Sequence, residues 1–492
     1  MNPEELRLRL GQRICVGFAG YEFTDEERKL IREYKIGNII LFKRNIKSRE
    51  QLKSLCDDAR KMILEETGIQ PFIMIDEECG GVSRLAHITV PTPCAMAIGA
   101  TGDPENAKKI ARNVGEELRA VGINFDLAPV LDCFTNPNNT VCGNRCFAVS
   151  PDEVSSYGLA YIQGLHDAGV MACGKHFPGH GDTDVDSHLA LPVVNKRMSE
   201  MEKTELVPFK EAIKYGIDAI MSTHVVFPAV ERGTPATVSR RVMTGLLREK
   251  MGFKGLILSD SMDMKAVKDL YGIPEGTLRA LRAGVDIVLI CYTVADGSEA
   301  IKYIEKAYED GQLDPEEISK HFQHIVNRKA GITEDDNLIH PFGTLEQADS
   351  AREIMKISIS LINAPGGKRL PEIDSETVVF GTKGRRNTLA NDENTYIAAR
   401  EFAKALGARY IEKELQGTPK TAVVFLDNQP DADGVIDQTK ELSRKGTEVI
   451  AVSLFTPRCL DQLPDSIWKV AAWQYDRLAV EALIDRVNEH SL

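Results

Sequence analysis

The chain has 492 residues, 43% apolar and 27% charged, the composition of an ordinary globular protein with room for two or three domains. Its formal net charge of −13 speaks against a nucleic-acid partner, and no apolar run approaches the ~20 residues that span a membrane. The charged amphipathic start has no apolar signal core, and ten scattered cysteines without a CxxC pair read as reduced thiols, Cys15, Cys173 and Cys291 lying inside apolar runs. A cytoplasmic protein is therefore expected, with its oligomeric state left open.

From the N-terminus onward one pattern recurs: a short apolar run, a polar loop, then a segment with apolar residues every 3 or 4 positions, about one helical turn. The apolar runs predict strands over residues 13–18, 37–42, 71–75, 124–131, 170–174, 219–223, 255–259 and 286–291. Helices are expected between them over 24–34, 48–66, 104–121, 151–168, 199–215, 239–251 and 274–283. Several starts carry suitable capping chemistry: Thr24 ahead of Asp25-Glu26-Glu27, Asp103-Pro104, and Ser150-Pro151. This alternation predicts an α/β fold, a (β/α)8 TIM-like barrel over residues 1–335. A doubly wound open sheet is the alternative, but no Gly-rich dinucleotide loop follows the first strand. Residues 336–350 read as a linker and 351–492 as a smaller α/β sandwich domain, with helices over 351–361 and 395–406 and strands over 377–380, 421–426, 448–454 and 469–473.

A barrel carries its chemistry at the carboxyl ends of its strands, and here those ends are polar. The third run leads into Asp76-Glu77-Glu78, the fourth into Asp132 and a loop with Arg145, and the fifth into Lys175-His176. The sixth ends in His224 and the seventh in Asp260-Ser261-Met262-Asp263. Any one of these reads equally well as a helix cap; together on one rim they read as a site. The densest stretch is Lys175-His176-Phe177-Pro178-Gly179-His180-Gly181, with Asp186-Ser187-His188 close behind. Its proline and glycines exclude a regular helix or central strand, so a loop rich in titratable groups is expected. His176 and His180 have the spacing of a zinc-binding helix, but Pro178 and Gly179 between them argue against that helix. No metal or cofactor is expected.

That central motif resembles glycoside hydrolase family 3 enzymes of the β-N-acetylhexosaminidase type. The likeness extends over residues 10–330, through Ile39-Ile40-Leu41-Phe42-Lys43-Arg44-Asn45, Ala128-Pro129-Val130-Leu131-Asp132, and the blocks at 221–228 and 239–264. The resemblance implies removal of terminal β-linked N-acetylglucosamine from a glycan, cell-wall peptidoglycan fragments among the candidates. It implies Asp260 as the nucleophile and His188 paired with Asp186 as the acid/base. It further implies Asp76, Arg145, Lys175 and His176 as contacts to the sugar. His224 reads either as a further contact or as a satisfied core histidine.

Two departures leave the exact sugar and aglycone open. The family usually carries a Gly-Gly-Arg run after the acid of Asp76, whereas this chain has Cys79-Gly80-Gly81-Val82, so one rim arginine is expected to be missing. Cys146 stands where a serine is common. Other glycosidic readings are a β-glucosidase, β-xylosidase or glycoside phosphorylase of the same fold. A metal-dependent barrel hydrolase or a non-catalytic sugar-binding protein would be different classes; the latter needs neither Asp260 nor the His188 and Asp186 pair. The partner expected is a small glycan.

Overall fold

The computed structural model describes residues 1–183, 191–332, 340–382, 397–412, 415, 417–427 and 434–492. Eight short strands form one parallel sheet: β1 (Ile14–Val16), β2 (Asn38–Leu41), β3 (Phe72–Ile75), β4 (Phe125–Asp126), β5 (Met171–Phe177), β6 (Ala219–Ser222), β7 (Leu256–Leu258) and β8 (Val288–Ile290). The order is β7-β6-β5-β4-β3-β2-β1-β8. A bridge between Leu258 and Ile287, with Ser259 N donating to the Ile287 carbonyl at 3.1 Å, brings the two edges together into a (β/α)8 barrel.

Strand alternation decides what fills it. Cys15, Ile40, Phe72, Met74, Phe125, Met221 and Leu289 turn inward, while Ile14, Ile39, Leu41, Ile73 and Ile75 turn outward onto the helices. Each such buried side chain contributes about 2 kcal/mol relative to exposure. Ile325, from the helix Pro315–Lys329, joins the inner cluster, and Lys329 of that helix donates to Gln12 Oε1 at 2.7 Å and the Gly37 carbonyl at 2.8 Å, so this helix stoppers the end opposite the polar rim.

Local chemistry moves several predicted boundaries. Residues 124–131 are expected as strand, but the continuous ladder is only Phe125–Asp126, with Val130 adding an isolated bridge to Lys175; the Asn124 side chain takes up Ile73 N (2.9 Å) and the Pro71 carbonyl (3.1 Å), and Pro129 has no N–H to give. β5 instead outruns its prediction and continues to Phe177, held by Leu131 N on the Lys175 carbonyl (2.6 Å) and Thr223 N on the Phe177 carbonyl (3.0 Å). Lys175 and His176 are thus strand residues rather than loop residues. The helix expected over 199–215 is two helices, Met198–Met201 and Leu206–Tyr215, and that over 239–251 is a wide π-helix, Arg241–Lys250. The helix expected over 274–283 is the far part of Lys265–Ala283, which kinks at Gly272 just before Pro274.

A second sheet contains β9 (Ser360–Asn363), β10 (Val378–Gly381), β11 (Arg409–Tyr410), β12 (Thr421–Leu426), β13 (Glu448–Ser453) and β14 (Trp468–Ala471), in the order β11-β10-β12-β13-β14-β9. All its pairings are parallel except that of β9 with β14. Val378, Val424 and Ala451 face one apolar layer and Val379, Phe425 and Val452 the other, which gives the α/β sandwich. The edge strand β9 falls partly within the helix expected over 351–361; that helix, Leu345–Ser358, stops where Ser358 Oγ bonds the Met355 carbonyl at 2.7 Å. All ten cysteines are buried free thiols. Among the described residues no helix is long and apolar enough to cross a membrane.

The two sheets are tied by a buried acid. Glu117, on the helix Glu105–Ala120, accepts from Thr89 Oγ1 and from Gly343 N (3.0 Å), just ahead of the helix Leu345–Ser358. Burial pushes its carboxyl up to about 7. The folded value lies above the unfolded one of about 4.3, so Glu117's favourable contribution is complete below that value and is lost as pH rises through about 7. Glu117→Gln keeps the acceptor and cannot ionise. Its melting temperature should exceed that of the parent near pH 8, and the advantage should vanish near pH 4, as thermal melts at the two pH values would show.

Candidate active site

Beyond β3 the chain stays extended, and residues two apart share a face, so Asp76 and Glu78 both turn into the barrel mouth. There they meet Lys175 of β5, whose Nζ lies 2.6 Å from Asp76 Oδ1 and 2.5 Å from Glu78 Oε1. Arg145 ends a single turn of 3-10 helix (Gly143–Arg145) and clamps the same Glu78 through both its oxygens, Nε at 2.7 Å and Nη2 at 2.8 Å. Lys175 is 1% exposed and Glu78 6%. Burial opposes the charges of Glu78, Lys175 and Arg145, yet Arg145 and Lys175 hold the Glu78 carboxyl well below the usual carboxylate range. Against the same penalty, Asp76 and Glu78 raise the Lys175 ammonium, and Glu78 raises the Arg145 guanidinium, above their ordinary values.

Asp132, wholly buried beyond β4, is the second anchor. Its carboxylate accepts from His176 Nδ1 (2.7 Å), His176 N (3.2 Å) and His180 N (2.6 Å). Burial works against its charge, but the His176 ring and these donors hold its carboxyl below the ordinary range. His176 Nε2, on the far side of the ring from Asp132, lies 3.3 Å from Arg145 Nη2.

On the opposite side of the sheet order, β7 leads into Asp260, which is half-buried and accepts from Ser261 N at 2.7 Å. Asp263 is spoken for: its Oδ2 accepts from Cys291 N (2.6 Å) and Ser261 Oγ (3.1 Å), stapling this loop to the end of β8, and burial pushes its carboxyl up.

These groups surround a cavity of about 510 Å³, within the size range of small-ligand sites. Asp76, Arg145, Lys175, His176 and Asp260 all line it. His224 does not. It is fully buried behind the Asp260 turn, with Nδ1 at 2.8 Å from Thr237 Oγ1 and Nε2 at 2.8 Å from the Ser261 carbonyl, the bonding of a core histidine. Asp186 and His188 lie outside the described residues. No group of three or more His, Cys, Asp or Glu is placed to hold a metal ion among the described residues, and His176 and His180 both turn their backbone N–H to Asp132 instead.

Glu78, Asp132 and Arg84 are among the wall and support residues absent from the sequence-derived site. Glu78 and Asp132 were in view as strand-end acids, and the two-residue step from Asp76 to Glu78 was the available signal. The third is Arg84. The rim arginine expected to be missing is present there: the chain turns back through Cys79 (φ 78) and Gly80 (φ 56), Glu77 accepts from Arg84 N (2.7 Å) and Leu85 N (3.1 Å), and the Arg84 side chain lines the cavity with Nη2 3.9 Å from Asp76 Oδ2.

Residues 5–328 match the glycosyl hydrolase family 3 N-terminal domain. The chain belongs to glycosyl hydrolase family 3. A family 3 β-N-acetylglucosaminidase structure from Paenibacillus superposes with a TM-score of 0.88 at 31% identity, covering 99% of this chain and 97% of that one. A β-hexosaminidase of Thiobacillus denitrificans is 36% identical over 284 residues, 56% of this chain and 77% of that protein. The β-hexosaminidase A of Pseudoalteromonas piscicida is 33% identical over 330 residues, 62% of this chain but only 55% of that longer relative.

Behind this family 3 pocket Asp132 serves His176 and His180 as an acceptor. Asp132→Asn presents an amide N–H₂ where acceptors are needed, and a loss of about 3 kcal/mol is expected in denaturant unfolding. The Asp132 carboxyl sits below its unfolded value of about 3.9, so its stabilisation is present above that pH and is lost as pH falls through the folded value. The parent's melting temperature should therefore drop on acidification below about pH 4, and the Asn variant should start lower and drop less.

Proposed function

We propose that this protein is a retaining β-N-acetylhexosaminidase that hydrolyses terminal β-linked N-acetylglucosamine from glycans or peptidoglycan fragments. The observation that carries the reading is one cavity, in a family 3 chain, lined by Asp260 together with Asp76, Glu78, Arg145, Lys175 and His176. The near full-length match to a β-N-acetylglucosaminidase supports the choice of sugar. The free buried thiols support action in a reducing compartment, the cytoplasm.

In this mechanism Asp76 accepts from sugar hydroxyls while Lys175, Arg145 and His176 contact the remaining ring substituents. The Asp260 carboxylate attacks the anomeric carbon; the bond to the leaving oxygen breaks as His188 delivers a proton to it, and a glycosyl ester forms on Asp260. His188 then takes a proton from water, whose oxygen attacks the same carbon and frees Asp260. Asp186 orients the imidazole and supports its charged form. An imidazole, with an ordinary pKa of about 6.5, serves in both directions near neutrality.

Nitrophenol release from the β-N-acetylglucosaminide, glucoside and xyloside, measured side by side, should favour the first by about a hundredfold. Equal or faster release from the glucoside would overturn the substrate assignment. Asp260→Ala should fold normally and turn over about a thousandfold or more slowly, and a fluorinated sugar should add its mass to the peptide holding Asp260. An adduct on another residue would reassign the nucleophile.

His188→Ala should impair natural disaccharides far more than a dinitrophenyl glycoside, because protonation matters most for poor leaving groups. Azide should restore turnover on the activated substrate and yield a glycosyl azide. Equal impairment on both substrates with no azide response would mean that the proton comes from elsewhere. In phosphate buffer free sugar is expected rather than sugar 1-phosphate, the product that would mark a phosphorylase.

A further inference from the structure

Arg145 reaches the pocket from a single 3-10 turn, too short to hold its own geometry. What holds it comes from the second sheet. Gly143 (φ 44) lies so close beneath the Phe455 ring that a side chain there would overlap it, and Asn144 Nδ2 donates to the Trp473 carbonyl at 2.9 Å. Trp473 sits at φ 63, a backbone region that residues other than glycine seldom adopt, and its indole Nε1 is anchored on the Ser358 carbonyl at 2.7 Å. Such an outlier persists only where its surroundings over-determine it.

The next residue engages the other partner's loop. Gln474 Oε1 accepts from Cys94 N at 2.5 Å and its Nε2 donates to the Thr92 carbonyl at 3.3 Å. The Thr92 carbonyl also accepts from Gly80 N at 3.2 Å, in the turn that carries Glu78 and Arg84. One turn of the second domain, residues 473–474, therefore touches both loops whose side chains form the Glu78 and Arg145 clamp.

We infer that Phe455 and Trp473 of the second domain, through Gly143 and Asn144, are positioning residues for the sugar pocket, acting on the substrate through Arg145, while Gln474 braces the loop that carries Glu78. Among the described residues the second domain supplies no group that lines the cavity; it sets where Arg145 stands. The choice of N-acetylglucosaminide as first probe rests on the proposed function, but the coupling does not.

The test is a double-mutant cycle on the full chain. Asn144→Ala and Phe455→Ala should each lower kcat/KM about five- to tenfold, chiefly by raising KM, with the melting temperature of Asn144→Ala near that of the parent. In an Arg145→Ala background neither should cost anything further, because the residue through which they act is already gone. If the losses persist undiminished in that background, or if neither single variant raises KM, the inference is overturned. A Phe455→Ala chain that does not fold leaves the decision to Asn144→Ala, which removes one hydrogen bond and little packing. The cycle is run on whichever nitrophenyl glycoside the parent cleaves. A preference for glucoside would thus overturn the substrate reading alone, and an additive cycle the positioning inference alone.

Discussion

Lys175 stands inside the mouth of the barrel with its ammonium between Asp76 and Glu78, and Glu78 is clamped in turn by Arg145. Taking such charges out of water costs several kcal/mol for each ion, offset only when geometry and partner count are good. Here two cations meet two carboxylates, Glu78 is held through both oxygens, and the set is close to neutral. Removing any one member strands the others in a medium of low dielectric. The rim therefore behaves as a single electrostatic unit, and the strands that supply it must hold their register.

The barrel meets that demand through adjacency. β3, β4 and β5 are neighbours in the sheet, so groups 99 residues apart, Asp76 and Lys175, close a contact across it. Asp132 then fixes the polar end of β5 from beneath by accepting from the backbone of His176 and His180 and from the His176 ring. A site whose dipoles are set before substrate arrives need not reorganise during the reaction, which is how such rims stabilise developing charge. Arg145 stands on a loop outside this frame, and the second domain contacts that loop through Asn144.

What was legible in the sequence follows from locality. Apolar runs and the polar residues that end them are local signals, so the eight strands and the wall residues Asp76, Lys175, His176 and Asp260 can be read directly. Arg84 escapes because its place depends on a turn through Cys79 at positive φ, which a residue other than glycine does not announce. Glu78 and Asp132 were visible as acids but not as members of the unit, since their partners lie on other strands. His224 shows the converse: a strand-end histidine in the right place along the chain, turned behind the wall by its bonds to Thr237 and the Ser261 carbonyl. The turn at residues 473–474 carries no motif at all; its role exists only in the contact between domains.

The acids of the rim divide by their partners. Asp76 and Glu78 face Lys175 and Arg145, Asp132 is committed to His176 and His180, and Asp263 to Cys291 N and the Ser261 hydroxyl. A carboxylate gripped by a buried cation has its charge stabilised and is a weaker nucleophile for it. Asp260 is half-buried, lines the same cavity and takes its neighbour's N–H, with the turn beneath it pinned by His224. An acid that attacks carbon has to stand where the ring's anomeric carbon can come, and Asp260 lines the cavity from the end of β7, across from the acids that Lys175 and Arg145 hold. The division of labour proposed for these carboxylates thus follows the partners that the barrel gives to each: cations for Asp76 and Glu78, His176 and His180 for Asp132.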